Sequence, residues 1–361
     1  MPSWFTTVPF FKIRSYVSVI TRFVLRCTHA CKVRLPFGAP LLFPRRPAYT
    51  GAMEKLSSPL ALTHRGLIKV RGREAGAARA FLQGLITCNM DAVTPGNPAF
   101  GALLTPQGKI LVDFIICAVD TESFLIDCAR SEVPSLLKRL TLFRLRAPID
   151  LTDVSDQFAM TLITGNEPPA LSDPAQVRVP DPRAASLGTR IYDPCGEGAL
   201  STDDQSDDDA FEQYRTHLIK NGVGEIATVF APDKHFLLDV NYDRLNGVDY
   251  AKGCFVGQEV TSRMKRKGSV RKRTVFISTP DDHEITGADI LRDGQSIGQI
   301  IGAQRSDAGM IGLGLVRVDR LDVALESVTA LPISLRLADR EIPATMNVPG
   351  YLMDTASAPT P

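Results

Sequence analysis

A single cysteine, Cys254, lies at the centre of the chain's densest group of chemically capable side chains. The glycines Gly253 and Gly257 bracket it, so the backbone can turn tightly there or approach a bound group closely. Asn246-Gly247, a few residues upstream, is a turn signal. The pattern predicts a polar loop that leads into a short strand at residues 260–262, a setting in which functional residues are common. The whole segment is Lys252-Gly253-Cys254-Phe255-Val256-Gly257-Gln258-Glu259.

The thiol of Cys254 could act as a nucleophile or as a redox group. Lys252 and Arg263 are expected to favour the reactive thiolate form, because nearby positive charge lowers a thiol pKa. None of the five histidines stands in a recognised Cys–His signature, so the sequence does not favour a thiol protease. The thiol could instead meet a partner's thiol, a cluster or an oxidised intermediate. The alternative is a buried cysteine that packs as a small hydrophobe.

Gln258 and Glu259 offer an amide and a carboxylate for hydrogen bonding to a ligand. An ion pair between Glu259 and Lys252 or Arg263 is the structural alternative. Asp113 is a second candidate, because it interrupts an apolar strand predicted at residues 110–119. A carboxylate in such a strand is costly to bury unless it is partnered. Asp113 is therefore either a functional acid or a hydrogen-bonded structural acid.

The pattern Lys-Gly-Cys-aromatic-x-Gly-Gln-Glu, followed by Arg263 and Gly268, resembles the signature of the YgfZ family. These are folate-binding proteins related to the glycine cleavage T-protein, an aminomethyltransferase, and linked to iron–sulfur cluster assembly or repair. The resemblance implies tetrahydrofolate or a derivative as cofactor, and iron–sulfur client or assembly proteins as partners. It implies chemical roles for Cys254 and Asp113. The cofactor-binding residues that it implies are Lys252, Gly253, Phe255, Gly257, Gln258, Glu259 and Arg263.

Two functions follow from this resemblance. One is an accessory protein for iron–sulfur clusters that works through Cys254 without classical turnover, and the other is a folate-dependent one-carbon transferase of the T-protein type. T-protein relatives carry a carboxylate pair where this chain has Val112 and Asp113. The missing carboxylate favours the accessory protein. The resemblance also suggests a link to tRNA modification.

A folate pocket would need an apolar or aromatic slot for the pterin, and basic or amide groups for its glutamate tail. The only tryptophan, Trp4, lies outside the predicted fold, so the residue that stacks on the pterin stays open. Seven basic residues fall between Arg263 and Arg273 and could contact phosphates. No aromatic residue interrupts the run, which favours a solvated surface over an RNA-binding site.

Charge is distributed unevenly along the chain of 361 residues. Residues 1–53 carry eight basic residues and no acid, and subtracting them from the net charge of +1 leaves the remainder at −7. This acidic remainder is not typical of a nucleic-acid binder. Seven cysteines without a Cys-x-x-Cys pair indicate a reducing compartment and no metal site. No run of 18 apolar residues occurs, and no membrane partner is expected.

Residues 1–52 are expected to be an extension outside the fold. They are either an upstream segment of a cytoplasmic, bacterial-type protein or a mitochondrial transit peptide. The remaining pattern predicts an α+β, T-protein-like fold with ferredoxin-like portions and a small C-terminal β-barrel. The folate-binding region is placed at 54–262, the barrel at 270–346 and a flexible tail at 347–361. Helices are predicted at 74–90, 131–143 and 210–220, and an aspartate-rich mobile loop at 203–209.

Overall fold

The computed structural model describes residues 59–165, 173, 175–195, 204–266, 268, 270–338 and 340–353. The extension predicted at residues 1–52 lies outside this range. Residues 53–361 cluster as one compact unit. In the part of the chain that the structure describes, no helix has the length and apolar character of a membrane span.

The first sheet contains five antiparallel strands whose alternate side chains enter two different cores. Its strands are β2 (Arg65–Gly72), β3 (Ala99–Leu104), β4 (Ile110–Ala118), β5 (Ser123–Ala129) and β6 (Ile149–Asp153). They are ordered β3-β4-β5-β2-β6. Helices α1 (Ala77–Gln83) and α2 (Val133–Arg144) cover one face, where they bury Leu82 and Leu136 against Val112 and Phe114. The other face looks towards the second sheet.

The second sheet has four short antiparallel strands and one long helix. Its strands, in the order β1-β7-β9-β8, are β1 (Leu60–Ala61), β7 (Phe158–Ile163), β8 (Val177–Pro180) and β9 (Thr189–Pro194). Helix α3 (Asp204–Lys220) packs Tyr214, Leu218 and Ile219 into the core that both sheets share. The loop from Phe230 to Leu245 adds buried side chains to the same core, among them Leu238 and Tyr242.

The C-terminal strands close into a six-stranded barrel in the order β10-β13-β12-β11-β14-β15. The barrel closes because its last strand, β15, pairs with its first strand, β10, where Met346 lies opposite Ile277. The strands are β10 (Lys272–Thr279), β11 (Asp289–Arg292), β12 (Gln295–Ser306), β13 (Gly309–Arg317), β14 (Ala330–Leu337) and β15 (Arg340–Asn347). Helix α4 (Gln258–Arg266) precedes the barrel, and a short helix, α5 (Gly350–Met353), follows it. The predicted α+β class and the predicted barrel are confirmed.

Three predictions near helices were wrong. The helix predicted at 74–90 is only α1, because Gly76 has a positive φ of 74° at its start and Gly84 caps its end. The mobile loop predicted at 203–209 is helical from Asp204, where acidic residues favour a helix start. The strand predicted at residues 260–262 is part of α4. There the Thr261 N–H and hydroxyl both donate to the Gly257 carbonyl and so build a helical turn.

Two other predictions also differ from the structure. Strands β8 and β15 were not predicted, although in β15 Ile342, Ala344 and Met346 alternate towards the barrel core. The tail predicted to be flexible from residue 347 is packed as far as Met353. Leu352 is buried, and the Tyr351 hydroxyl donates to the Gly222 carbonyl at 2.6 Å.

Candidate functional site

The Cys254 loop is exposed to solvent and is held in place by its glycines. Cys254 itself is an exposed free cysteine. Gly253 and Gly257 have φ values of 99° and 80°, a conformation that other residues adopt only with strain. Gly257 also lies so close to the turn before β4 that a Cβ atom would stand 2.6 Å from the Thr105 carbonyl oxygen. The loop is therefore fixed against the first sheet while its thiol faces water.

Lys252 anchors this loop instead of activating the thiol. Its Nζ donates to the carbonyls of Ile86 and Cys88, each at 2.6 Å, and lies 5.6 Å from the centre of the Phe255 ring. Burial lowers the pKa of Lys252, although the group stays hydrogen-bonded. Phe255 is buried in the shared core. The expectation that Lys252 directs its charge at Cys254 is therefore corrected: the ammonium group is committed to backbone carbonyls of another loop.

Helix α4 carries the remaining residues of the motif. Gln258 is half-buried at its first position, and Glu259 and Arg263 are exposed. Glu259 and Arg263 stand four residues apart on one helical face. Within the described residues neither side chain forms an ion pair, so the structural alternative, an ion pair of Glu259 with Lys252 or Arg263, is not observed. Both charges are open to a ligand or a partner.

Asp113 lies in the core and not beside the thiol. Its side chain is 2% exposed, and its Oδ2 accepts hydrogen bonds from the Ile226 N–H at 3.0 Å and from the Tyr242 hydroxyl. Burial and the nearby Glu225 charge raise the pKa of Asp113 to about 6. The groups that hold Asp113 come from residues 226 and 242, outside the segment 252–259. The structure thus places Asp113 as a hydrogen-bonded acid and does not bring it together with Cys254.

A buried network of charges surrounds Asp113 and was not predicted from the sequence. Arg65 on β2 joins Asp127 on β5 at 2.7 Å and Glu225 at 2.9 Å. Arg190 on β9 joins the same Asp127 at 2.9 Å, which ties the second sheet to the first. The network is completed by Arg183, Asp181, Tyr192 and Tyr214.

Electrostatic balance explains why this network stays ionised. Burial alone would raise the pKa of Glu225, but Arg65, Arg183 and Arg190 hold it well below its usual range. The three guanidinium groups face three carboxylates, those of Glu225, Asp127 and Asp181. In sequence these residues are scattered singly over 160 positions, so no local motif marks them.

A cavity of about 530 Å³ opens next to the Cys254 loop. Apolar and aromatic groups form much of its wall, which includes Tyr250, four residues before Cys254. The Tyr250 hydroxyl is sealed from solvent and has no hydrogen-bond partner among the described residues. Lys265 of α4 lies 4.0 Å from the centre of the Tyr250 ring. The cavity is lined by Cys88, Asn89, Ala92, Asn97, Pro98, Ala99, Phe100, Pro180, Pro182, Asp243, Asn246, Val248, Asp249 and Tyr250.

The cavity and Asp113 are separated by one layer of aromatic rings. Phe100 lines the cavity and packs against Tyr242 with 4.7 Å between ring centres, and the Tyr242 hydroxyl donates to Asp113. Arg183 stacks over Phe100 at 5.4 Å. Among the cavity residues, Asn246 and the pair Asn97 and Pro98 gave turn signals in the sequence, but nothing marked them as a ligand site. Across the described residues, no cluster of three potential metal ligands occurs.

Two families match parts of this chain. Residues 59–172 match the GCVT N-terminal domain, and residues 271–351 match the CAF17 C-terminal beta-barrel domain. The fold is similar to that of the glycine cleavage system aminomethyltransferase T from Bartonella henselae, with a TM-score of 0.61 and 15% sequence identity. That match covers 82% of this chain and 86% of the other. The T-protein-like fold expected from the sequence is thereby confirmed.

Several curated relatives share one name, iron-sulfur cluster assembly factor IBA57, mitochondrial, or its homolog. The relative from Pyricularia oryzae is 30% identical, over 72% of this chain and 71% of its own length. The human relative is 28% identical, over 72% and 77%. The relative from Mycosarcoma maydis is 32% identical, over 64% of this chain. This chain spans 60% of the Mycosarcoma protein and 51% of the Neurospora crassa relative.

Proposed function

Because the chain belongs to the family of IBA57 iron–sulfur cluster assembly factors, we propose that it serves the assembly of iron–sulfur clusters through the thiol of Cys254. The exposure of this thiol, on a loop fixed by Gly257 against the first sheet, is the observation that carries the proposal. A thiol in that position can reach a cluster or a partner without any movement of the core.

Cys254 can supply only one of the ligands that an iron–sulfur cluster needs. Iron–sulfur clusters are generally held by four ligands, mostly cysteine thiolates. Among the cysteines that the structure describes, only Cys254 is exposed; Cys195 is half-buried, and Cys88, Cys117 and Cys128 are buried. Burial raises the pKa of Cys88 to about 12, which keeps that thiol protonated. The remaining ligands must come from a partner protein or from small thiols.

The size of the cavity beside the loop supports a folate as its ligand. Its volume of about 530 Å³ falls in the usual range for small-molecule sites. Phe100 and neighbouring prolines offer apolar walls for a pterin, and Asn97 offers a polar contact. Gln258, Arg263 and Lys265 of α4 do not line the cavity itself, so they would meet an acidic tail only where it extends out of the cavity. Bound folate would supply one-carbon chemistry or rigidity to the loop; the residues of this chain bind and orient it.

A mitochondrial setting is proposed over the cytoplasmic one expected from sequence. The relatives' names carry the word mitochondrial. A link to tRNA modification finds no support in these names, and it is not part of the proposal.

Replacement of Cys254 in living cells tests the proposal. We expect Cys254→Ser to fold normally, since its side chain is exposed, and to fail to restore cluster-dependent enzyme activities in cells that lack their own IBA57 relative. Cys195→Ser is the matched control and should restore them as the unchanged chain does. Full rescue by Cys254→Ser would contradict the proposal. Equal failure of both variants would point to a loss unrelated to the thiol.

A further inference from the structure

Helix α2 ends in an apolar tip that no described part of the chain covers. Leu142, Phe143 and Leu145 are 67%, 43% and 87% exposed. The opposite face of the same helix is well buried, through Val133, Leu136 and Leu140. The hydrophobic core is therefore formed without these exposed side chains. Three large apolar groups in four consecutive positions form a patch, whereas single exposed hydrophobic residues are common.

At this tip a leucine occupies a strained backbone conformation. Leu145 follows the last helical residue with a φ of 46°, in a region where a Cβ atom is unfavourable. Glycine is the usual residue at this position after a helix. A leucine that is both strained and exposed does not contribute to folding in an obvious way, and such outliers are frequent at functional sites.

Basic side chains surround the tip. Lys138, Arg139 and Arg146 are exposed, Arg144 is half-buried, and none of the four forms an ion pair with another described residue. The nearest acid in the following strand, Asp150, is bound by Arg73. Glu132 lies at the other end of the helix, three turns away. The α2 tip, residues 138–146, thus combines a strongly positive rim with an apolar centre.

We propose that the α2 tip binds peripherally to an anionic membrane surface, with Leu142, Phe143 and Leu145 inserted at the headgroup level. Basic residues beside protruding apolar side chains are the combination by which proteins attach to such interfaces without crossing them. The absence of a predicted membrane span does not bear on this kind of contact. The site lies apart from Cys254 and goes beyond the proposed function.

Sedimentation with lipid vesicles tests the proposal on the full chain. We expect binding to phosphatidylcholine vesicles in which about a third of the lipid is phosphatidylglycerol, and much weaker binding to phosphatidylcholine alone. High salt should weaken the binding because it screens the basic rim. Lys138→Glu with Arg139→Glu should reduce it by about tenfold or more, since each basic residue adds attraction. The control is Arg271→Glu with Lys272→Glu, an equal charge change at exposed positions outside the tip.

Leu145→Gly separates the apolar contribution from the charge. Glycine relieves the positive φ, so this variant should melt no lower than the unchanged chain, yet bind vesicles several-fold more weakly. If the unchanged chain stays in solution with anionic vesicles, the proposal is wrong and an acidic protein is the better occupant of the tip. If the Arg271 and Lys272 control loses as much binding as the tip variant, attraction is non-specific and the proposal is likewise overturned.

Discussion

At the scale of single residues, the most consequential feature is a set of ionised side chains without access to water. Arg65, Arg183 and Arg190 face Asp127, Asp181 and Glu225, and five of their ion pairs have N–O distances from 2.7 to 3.3 Å. Taking charges out of water is costly, and the arrangement is stable only because every charge has a partner. Removing one partner therefore leaves another charge buried alone.

Arg190→Met should destabilise the protein by about 3–5 kcal/mol, because it leaves Asp127 and the Tyr214 hydroxyl without one of their partners. Urea unfolding measures the change. Arg336→Met is the matched control: its pair with Glu341 is exposed, and such pairs contribute about 0–1 kcal/mol. A similar small loss for both variants would mean that water enters the network and that the charges are not truly buried.

Asp113 gives the network a defined pH response. Because burial raises its pKa to about 6, the ionised form costs stability at neutral pH, and this cost disappears as the pH falls towards the unfolded-state pKa. Asp113→Asn removes the charge and keeps an oxygen that can accept from Tyr242. Its stability relative to the unchanged chain should therefore be higher at pH 7 than at pH 4, by about 2–3 kcal/mol.

Unfolding free energies of both proteins at the two pH values provide the test. A relative stability that does not change with pH, or that changes with the opposite sign, would show that Asp113 does not carry the raised pKa. Glu225, whose pKa is lowered, responds in the opposite direction, and taking the difference between the two proteins removes that background.

At the scale of elements, the segment 252–266 shows what sequence patterns can and cannot predict. Its glycines and cysteine predicted a polar loop with candidate functional residues. Helix α4 was not predicted, because its first turn depends on the Gly257 carbonyl, which accepts from the Thr261 N–H in a loop packed against Thr105. The orientation of the Lys252 side chain could not be predicted from the sequence either, because its acceptors, the carbonyls of Ile86 and Cys88, are more than 160 residues away in the chain.

Gly257→Ala should disturb this loop far more than Gly253→Ala. Both positions have positive φ, which costs an alanine about 1–2 kcal/mol. Only at Gly257 would the new Cβ atom meet a carbonyl oxygen, at 2.6 Å, whereas nothing lies within 4 Å at Gly253. Urea unfolding of the two variants compares them directly. Equal losses would indicate that the loop can move away from Thr105 at little cost.

At the scale of the whole molecule, apolar runs bounded by turns carried most of the fold prediction. Strands β3, β4 and β5 are buried along nearly their whole length, because both faces of the first sheet are covered. The shared core was not predictable in the same way. It brings together β2, β5, β9 and the loop after α3 through isolated charges, whose partners are fixed only by tertiary packing. The cavity arises from the same long-range assembly.

The proposed function depends on Cys254 being a cluster ligand, and spectroscopy of the reconstituted protein tests this most directly. Iron and sulfide are added anaerobically to the full chain, with glutathione to supply the remaining thiolates. We predict that the unchanged chain and Cys195→Ser acquire the visible absorption of a thiolate-bound cluster, and that Cys254→Ser does not. Equal absorption in Cys254→Ser would contradict the account.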